Sequence, residues 1–399
     1  MSELLALEDA QKRLLSLVSL GASHAVEATN ALGYYLSDDV KASRTQPPAD
    51  LSAMDGYAIC GEGPWQRIGE SRAGEPFQGA LNPGECTRIS TGAHMPEGSD
   101  RVLIQENADV AGDDIALADG QTLPEALRNV RQCGFDFSSG DTVLQSGTRT
   151  GAAQIALAIS AGHSVLQVYK APSLAILDSG DELAKDPAQC GPDQIPASNG
   201  AMLEAMVHPL GCSPKRLGPV ADDLNALAAA LAEADDAQIL ITTGGASVGD
   251  HDLIQQALRD WGATIDFWKV AIKPGKPLMV ATRKRAWGDQ IILGLPGNPV
   301  SSFVTAFLFA LPLIKATMGD RHPLSKTDTF LAASPLPATG PRQEFLRGVT
   351  DGDLVKLASS QDSSALLALA NANCLINRPA HSDAIDMGDP VPVYNLQNG

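Results

Sequence analysis

Leu4, Leu7, Leu14, Leu15 and Val18 recur near helical spacing with charges between them, so residues 3–20 predict an amphipathic helix. A loop follows at 43–48. From about 49 to 135 the pattern changes to short apolar runs at 57–59, 101–105 and 115–117. Turns such as Gly61-Glu62-Gly63-Pro64 and Asn82-Pro83-Gly84 separate them, which reads as a β-rich unit. Residues 151–162 predict a helix with Gly162 as its C-cap, and 164–168 a strand.

Residues 171–320 alternate differently. Apolar runs at 174–177, 238–241, 278–281 and 290–293 are interleaved with helical patterns at about 198–210, 222–234 and 250–261. A glycine turn then opens a long helix ending near 318. Strands alternating with helices of this length predict a three-layer α/β domain with a mainly parallel sheet. Ligands bind such sheets at the carboxyl ends of the strands. The segment 325–399 opens with Pro335, Pro337 and Pro341 and closes on the alternating Val391-Pro392-Val393-Tyr394, which predicts a small all-β domain.

Composition narrows the picture. With 44% hydrophobic and 19% charged residues, the 399-residue chain can bury sizeable cores, and disorder throughout is excluded. The length suits roughly two to four domains. Its net charge of −18 argues against a nucleic-acid surface and against an anionic membrane surface, so neither partner is expected. It also makes any tight basic cluster informative, because an anionic ligand must be held locally against the global field. The longest apolar run, 303–314, is twelve residues and contains Pro312, short of the roughly 20 that span a bilayer. The first fifteen residues lack a basic-then-apolar signal pattern, so a cytoplasmic location is expected. The six cysteines form no CxxC and read as reduced, mostly structural thiols.

Four segments carry candidate chemistry. Thr242-Thr243-Gly244-Gly245-Ala246-Ser247-Val248-Gly249-Asp250-His251-Asp252 joins an apolar run to a helix. It reads equally as a phosphate-cradling loop or as a plain strand–helix turn in which Asp250 or Asp252 is an N-cap. Gly294-Leu295-Pro296-Gly297-Asn298-Pro299 is a second such turn, with Pro299 suited to a first helical turn, and two together favour an anion pocket between them. Lys269, Lys273 and Lys276 lie within eight residues, stiffened by Pro274, Gly275 and Pro277; a fixed oxyanion site competes with a solvated basic loop. Asp55-Gly56, with Thr91 downstream, reads by itself as a turn. The acids Asp181 and Glu182, with Asp252 and Asp222, are either surface charge or carboxylates for Mg²⁺.

Taken in order, PPADLSAMDGYAI, RISTGAHMP, GFDFSSGDTVL, SLAILDSGDEL, TTGGASVGDHD, KPGKP, GLPGNPVSS, EFLRG and QDSSALLALANAN resemble the molybdopterin molybdenumtransferases, the MoeA-type family that includes the E domain of gephyrin. The matches run from about residue 10 to 395. The resemblance implies a multidomain α/β plus β fold. Its parts would be an extended N-terminal region (1–48 and 136–168), a β-rich insert (49–135), a three-layer α/β molybdopterin-binding domain (169–322) and a C-terminal β-barrel (323–399). It implies a transferase that inserts molybdate into adenylylated molybdopterin, with Mg²⁺-dependent release of AMP, to give molybdenum cofactor.

The family's functional positions fall on named residues here. Gly244, Gly245, Ser247, Gly249, Pro296, Gly297, Asn298 and Pro299 would hold the pterin phosphate and nucleotide. Glu182, Asp222 and Asp252 would bind or position Mg²⁺. Lys273, Lys276, Arg347 and Ser363 match the molybdate site, where point charges, a planar donor fork and a neutral donor suit a tetrahedral dianion. Lys269 is a further position near the substrate. Asp55, Thr91, Arg131 and Asp136 match functional positions in the N-terminal half, and their distance along the chain implies a cleft shared across a homodimer. Transient contact with the adenylyltransferase and with acceptor molybdoenzymes is implied too. Three positions depart from the pattern: Asp178 where Ser or Thr is usual, Ala197 where Asp is common, and Phe135 in place of Glu. An added acid at 178 is expected either to strengthen a metal site or to repel substrate phosphate. A tungstate-inserting paralogue and a non-catalytic scaffold are the competing readings. The intact set of Lys273, Lys276, Arg347 and Ser363 disfavours the scaffold.

Overall fold

A computed structural model describes residues 4–244 and 253–396. The first helix, α1 (Leu7–Leu15), buries Leu7, Ala10 and Leu14, the face its periodicity marks. The strand Ser23–Glu27 pairs antiparallel with Val165–Tyr169 beside α2 (Ala152–Ser160), whose end is turned by Gly162. Between them, residues 56–117 form a six-stranded sheet built around the runs read from the sequence. Trp65, Ile59, Leu103 and Ile115 fill its core.

The α/β domain carries a six-stranded sheet. Its strands are β1 (Leu174–Ser179), β2 (Lys215–Val220), β3 (Ile239–Thr243), β4 (Thr264–Lys269), β5 (Pro277–Arg285) and β6 (Gly288–Leu295), in the spatial order β2-β1-β3-β6-β5-β4. The first four are parallel, whereas β5 pairs antiparallel with both β6 and β4. The sheet is therefore mixed at one edge, because the turn between Arg285 and Gly288 is too short for a crossover.

Both faces are covered, and side-chain alternation assigns them. Ile176, Ile241 and Leu293 pack with α1, α3 (Asn199–Val207) and α6 (Pro299–Thr317). Leu177, Leu240 and Ile292 pack with α4 (Leu224–Glu233) and α5 (Leu253–Asp260). The helix α6 is longer than its apolar run suggests. Its 19 residues are long and apolar enough to cross a membrane, with a mean hydropathy of 1.6, but 83% of that stretch is buried in the protein. Its middle, Ala306–Ala310, widens to a π-helical turn just before Pro312. Pro312 has no N–H to give the Leu308 carbonyl, and Gln11 Nε2 of α1 supplies the bond instead at 2.9 Å.

The C-terminal strands are β7 (Asp328–Ala332), β8 (Gln343–Asp351), β9 (Leu354–Leu357), β10 (Cys374–Arg378) and β11 (Pro390–Asn395). Pairing runs β8-β9-β7-β11-β10 and returns to β8, which closes a five-stranded barrel. Residues Ile272–Lys273 add to β8 in parallel register, so the lysine loop of the α/β domain is stitched to the barrel.

Candidate active site

The carboxyl ends of β1, β3 and β6 lie side by side, with Asp178 opposite Thr243 and Thr243 opposite Leu295. Both glycine turns leave from here. Gly244 donates its N–H to the Leu295 carbonyl at 3.0 Å, and Asn199 Nδ2 donates to the Gly297 carbonyl at 2.7 Å. Asn298 is the N-cap residue of α6 and Pro299 opens its first turn, as the sequence predicts. Gly244, Pro296, Gly297, Asn298 and Pro299 therefore share one rim. Gly245, Ser247, Gly249 and Asp252 lie outside the described residues.

The basic residues approach the same helix end. Gly275 is pressed against α6: it has φ +98°, and an added Cβ would stand 2.5 Å from Thr305 Oγ1. Lys273 Nζ pairs with Glu344 Oε1 of β8 at 3.1 Å. Lys276 is exposed, and its carbonyl accepts from the Val270 N–H. Lys269 ends β4, with its carbonyl taking the Leu5 N–H at 2.8 Å. From the barrel, Ser363 meets α6 directly: Asn298 Nδ2 donates to its Oγ at 3.1 Å, and the Val300 N–H donates to its carbonyl at 3.2 Å.

Arg347 on β8 is only 1% exposed. Its guanidinium donates to the carbonyls of Ser360 at 3.2 Å and Asp362 at 3.0 Å, so it braces the loop that presents Ser363. Burial lowers its pKa and Asp362 partly offsets this. Its Nε is buried with no hydrogen-bond partner among the described residues, which leaves one donor unspent. The lysine loop and the Ser363 loop thus dock within the first turns of one helix, whose N-terminus favours an anion.

The acids gather across the rim. Asp181 Oδ1 accepts the Asp222 N–H at 3.0 Å. The Asp222 carboxyl is pushed above its ordinary pKa by burial first, then by the charges of Asp181 and Glu182. Among the described residues no three His, Cys, Asp or Glu side chains close around a cation position. The donor set still fits Mg²⁺, which takes one or two carboxylates and completes its shell with phosphate oxygens and water.

The N-terminal residues form their own group. Asp55 Oδ1 accepts both the N–H (2.7 Å) and the hydroxyl (3.0 Å) of Thr91, which together hold its carboxyl below the ordinary range. Arg131 pairs with Leu51, and the Asp136 N–H donates to Gln46; both side chains are exposed. Phe135 beside them is 77% exposed. Among the described residues, no hydrogen bond or ion pair of these four reaches residues 169–396.

Asp178 behaves unlike either expectation for an added acid. It is 1% exposed, with one oxygen on Thr243 Oγ1 (2.6 Å) and the other on Arg216 Nη2 (3.2 Å), so both oxygens are engaged within the protein. The sequence reading did not find Arg216, Asn199 or Glu344. They act through partners 38, 98 and 71 residues away, and no local spacing signals them.

Comparison with known proteins matches these parts. Residues 5–162 match the MoeA N-terminal region (domain I and II), 175–316 a probable molybdopterin binding domain, and 329–396 the MoeA C-terminal region (domain IV). A molybdopterin molybdenumtransferase of Haemophilus influenzae is 32% identical over 383 residues, covering 92% of this chain and 91% of its own length. The chain belongs to the molybdopterin molybdenumtransferase family. A Nostoc molybdopterin molybdenumtransferase is 33% identical over 388 residues, covering 93% and 88%. A crystal structure of a molybdopterin biosynthesis MoeA protein from Pyrococcus horikoshii superposes over 100% of both chains, with a TM-score of 0.79 at 25% identity. As a molybdopterin molybdenumtransferase-family protein the chain is a transferase, and the rim described above is its candidate active site.

Proposed function

We propose that this transferase inserts molybdate into adenylylated molybdopterin and releases AMP in a Mg²⁺-dependent reaction, giving molybdenum cofactor. The observation that carries the proposal is the convergence of the lysine loop and the Ser363 loop on the N-terminus of α6, beside the Gly244 and Gly297 turns. Two lysines beside a helix N-terminus, in a chain of net charge −18, are suited to one small dianion.

In this reading Lys273, Lys276 and Ser363 hold molybdate, with Arg347 fixing the loop that carries Ser363 and adding its positive charge from beneath. Backbone N–H groups of the glycine turns and α6 receive the pterin phosphate and nucleotide. Lys269 adds positive charge near the substrate. Magnesium, held by Asp222 and Glu182 with Asp252, would neutralise charge on the phosphoanhydride as AMP leaves. Asp55, Thr91, Arg131 and Asp136 complete the cleft from a second subunit, so the working unit is a homodimer. The four-part division of the chain is the functional organisation we propose. A cytoplasmic location is part of the proposal, supported by six free thiols.

Purified protein incubated with adenylylated molybdopterin, Mg²⁺ and molybdate will release AMP, read by chromatography, only when all three are present. AMP at the buffer rate with all three would overturn the proposal.

A further inference from the structure

Behind the rim lies an ionic group, centred on the buried Asp178, to which the roles above give nothing to do. Asp178, at the end of β1, takes the Thr243 hydroxyl on one oxygen and Arg216 on the other. Arg216 stands on β2, and its Nη1 also reaches Glu204 of α3 at 3.4 Å. One carboxylate therefore ties three adjacent strands and one helix. Gly200 makes room for it: a Cβ there would collide with Asp178 Oδ2 and stand 2.8 Å from Arg216 Nε. The next residue back, Asn199, holds the Gly297 carbonyl, and the residue after Thr243 is Gly244, whose N–H holds Leu295. The ionic group thus reaches both glycine turns through the backbone: Thr243 is bonded to Gly244, and Gly200, packed against Asp178 and Arg216, is bonded to Asn199.

Burying a charge pair costs desolvation that its attraction often fails to recover. A serine or threonine at 178, usual in the family, would satisfy Thr243 without that cost. A carboxylate instead offers two acceptors in fixed geometry to donors from two different strands. We infer that Asp178 is a positioning residue of the transferase site, clamping Thr243 and Arg216 so that the Gly244 and Gly297 turns are spaced for the substrate's phosphate. The inference rests on the phosphate reading of those turns.

The test compares wild type, Asp178→Ser, Asp178→Asn and Asp178→Ser/Arg216→Gln. KM and kcat for AMP release, AMP affinity by calorimetry and melting temperature are measured for each. Loss of one charge-assisted hydrogen bond predicts a KM and an AMP Kd raised about tenfold in Asp178→Ser, with kcat nearly unchanged. Asp178→Asn, which keeps the length of the side chain and one carbonyl acceptor but no charge, falls between. The double variant, freed of a cation that has lost its buried partner, regains the melting temperature but not KM. Recovery of KM together with the melting temperature, or an unchanged KM in Asp178→Ser, would overturn the inference. If Asp178→Ser does not fold, Thr243→Val removes the other arm of the clamp, the Thr243 bond, with the ion pair intact and must raise KM as well. A wild type that releases no AMP would sink the transfer reading instead, and the AMP affinities would still decide the role of Asp178.

Discussion

Arg347 and Lys276 share a proposed ligand but differ in what else they do. Lys276 is exposed, and truncating an exposed lysine changes stability little. Arg347 is buried and holds two carbonyls. Lys276→Ala is therefore expected to raise the molybdate concentration needed for AMP release while the melting temperature stays put. Arg347→Ala should do the same and also cost roughly 2–3 kcal/mol in denaturant unfolding, because two charge-assisted bonds are lost. Equal stability of the two variants would contradict the bracing role. Residue types in KPGKP pointed to Lys276, and the family resemblance carried by EFLRG to Arg347; the burial of Arg347 did not show in the sequence. It depends on strand β8 and the 360–363 loop being brought together, and nothing near residue 347 reports that.

At the level of elements, adjacent acids divide their work. Asp223 caps α4, accepting from the Asn225 and Ala226 N–H groups at 3.0 and 2.9 Å. Asp222 caps nothing and faces Asp181 and Glu182. Asp223→Ala should lose about 1 kcal/mol of stability, in line with other N-caps, and keep its Mg²⁺ response. Asp222→Asn should do the reverse. Because the folded state raises the pKa of Asp222, its ionised form opposes folding, and that penalty grows as pH climbs from the ordinary carboxylate range through the raised value. At neutral pH the metal-free Asp222→Asn protein should therefore melt slightly higher than wild type, and Mg²⁺ should no longer raise its melting temperature. A lower metal-free melting temperature would contradict this account. Elements with strong local patterns were legible: β1, β3, α4 and the Pro299 start of α6. Strand β2 was not, since Lys215–Val220 contains Gly218 and Pro219 and shows no alternation. Nor was β4, whose pairing depends on the β5–β6 hairpin. The π turn of α6 needed Gln11, nearly 300 residues away, to satisfy Leu308.

At the scale of the whole molecule, Asp55 and Lys276 belong to groups with no hydrogen bond or ion pair between them among the described residues. If the cleft is shared between subunits, mixing Asp55→Asn with Lys276→Ala chains restores one intact cleft in each mixed dimer. At a molybdate concentration too low for the Lys276→Ala parent to turn over, random exchange then predicts about a quarter of wild-type AMP release. A mixture no more active than its parents would place both residues in the same subunit's site or outside any site. The central claim is that an acidic molecule keeps one cationic recess for a metal oxyanion, and a crystal soaked in molybdate tests it most directly. The account predicts a single strong anomalous peak among Lys273, Lys276 and Ser363, above the buried Arg347, at the start of α6. Molybdenum density elsewhere, with that recess filled only by water, would contradict it.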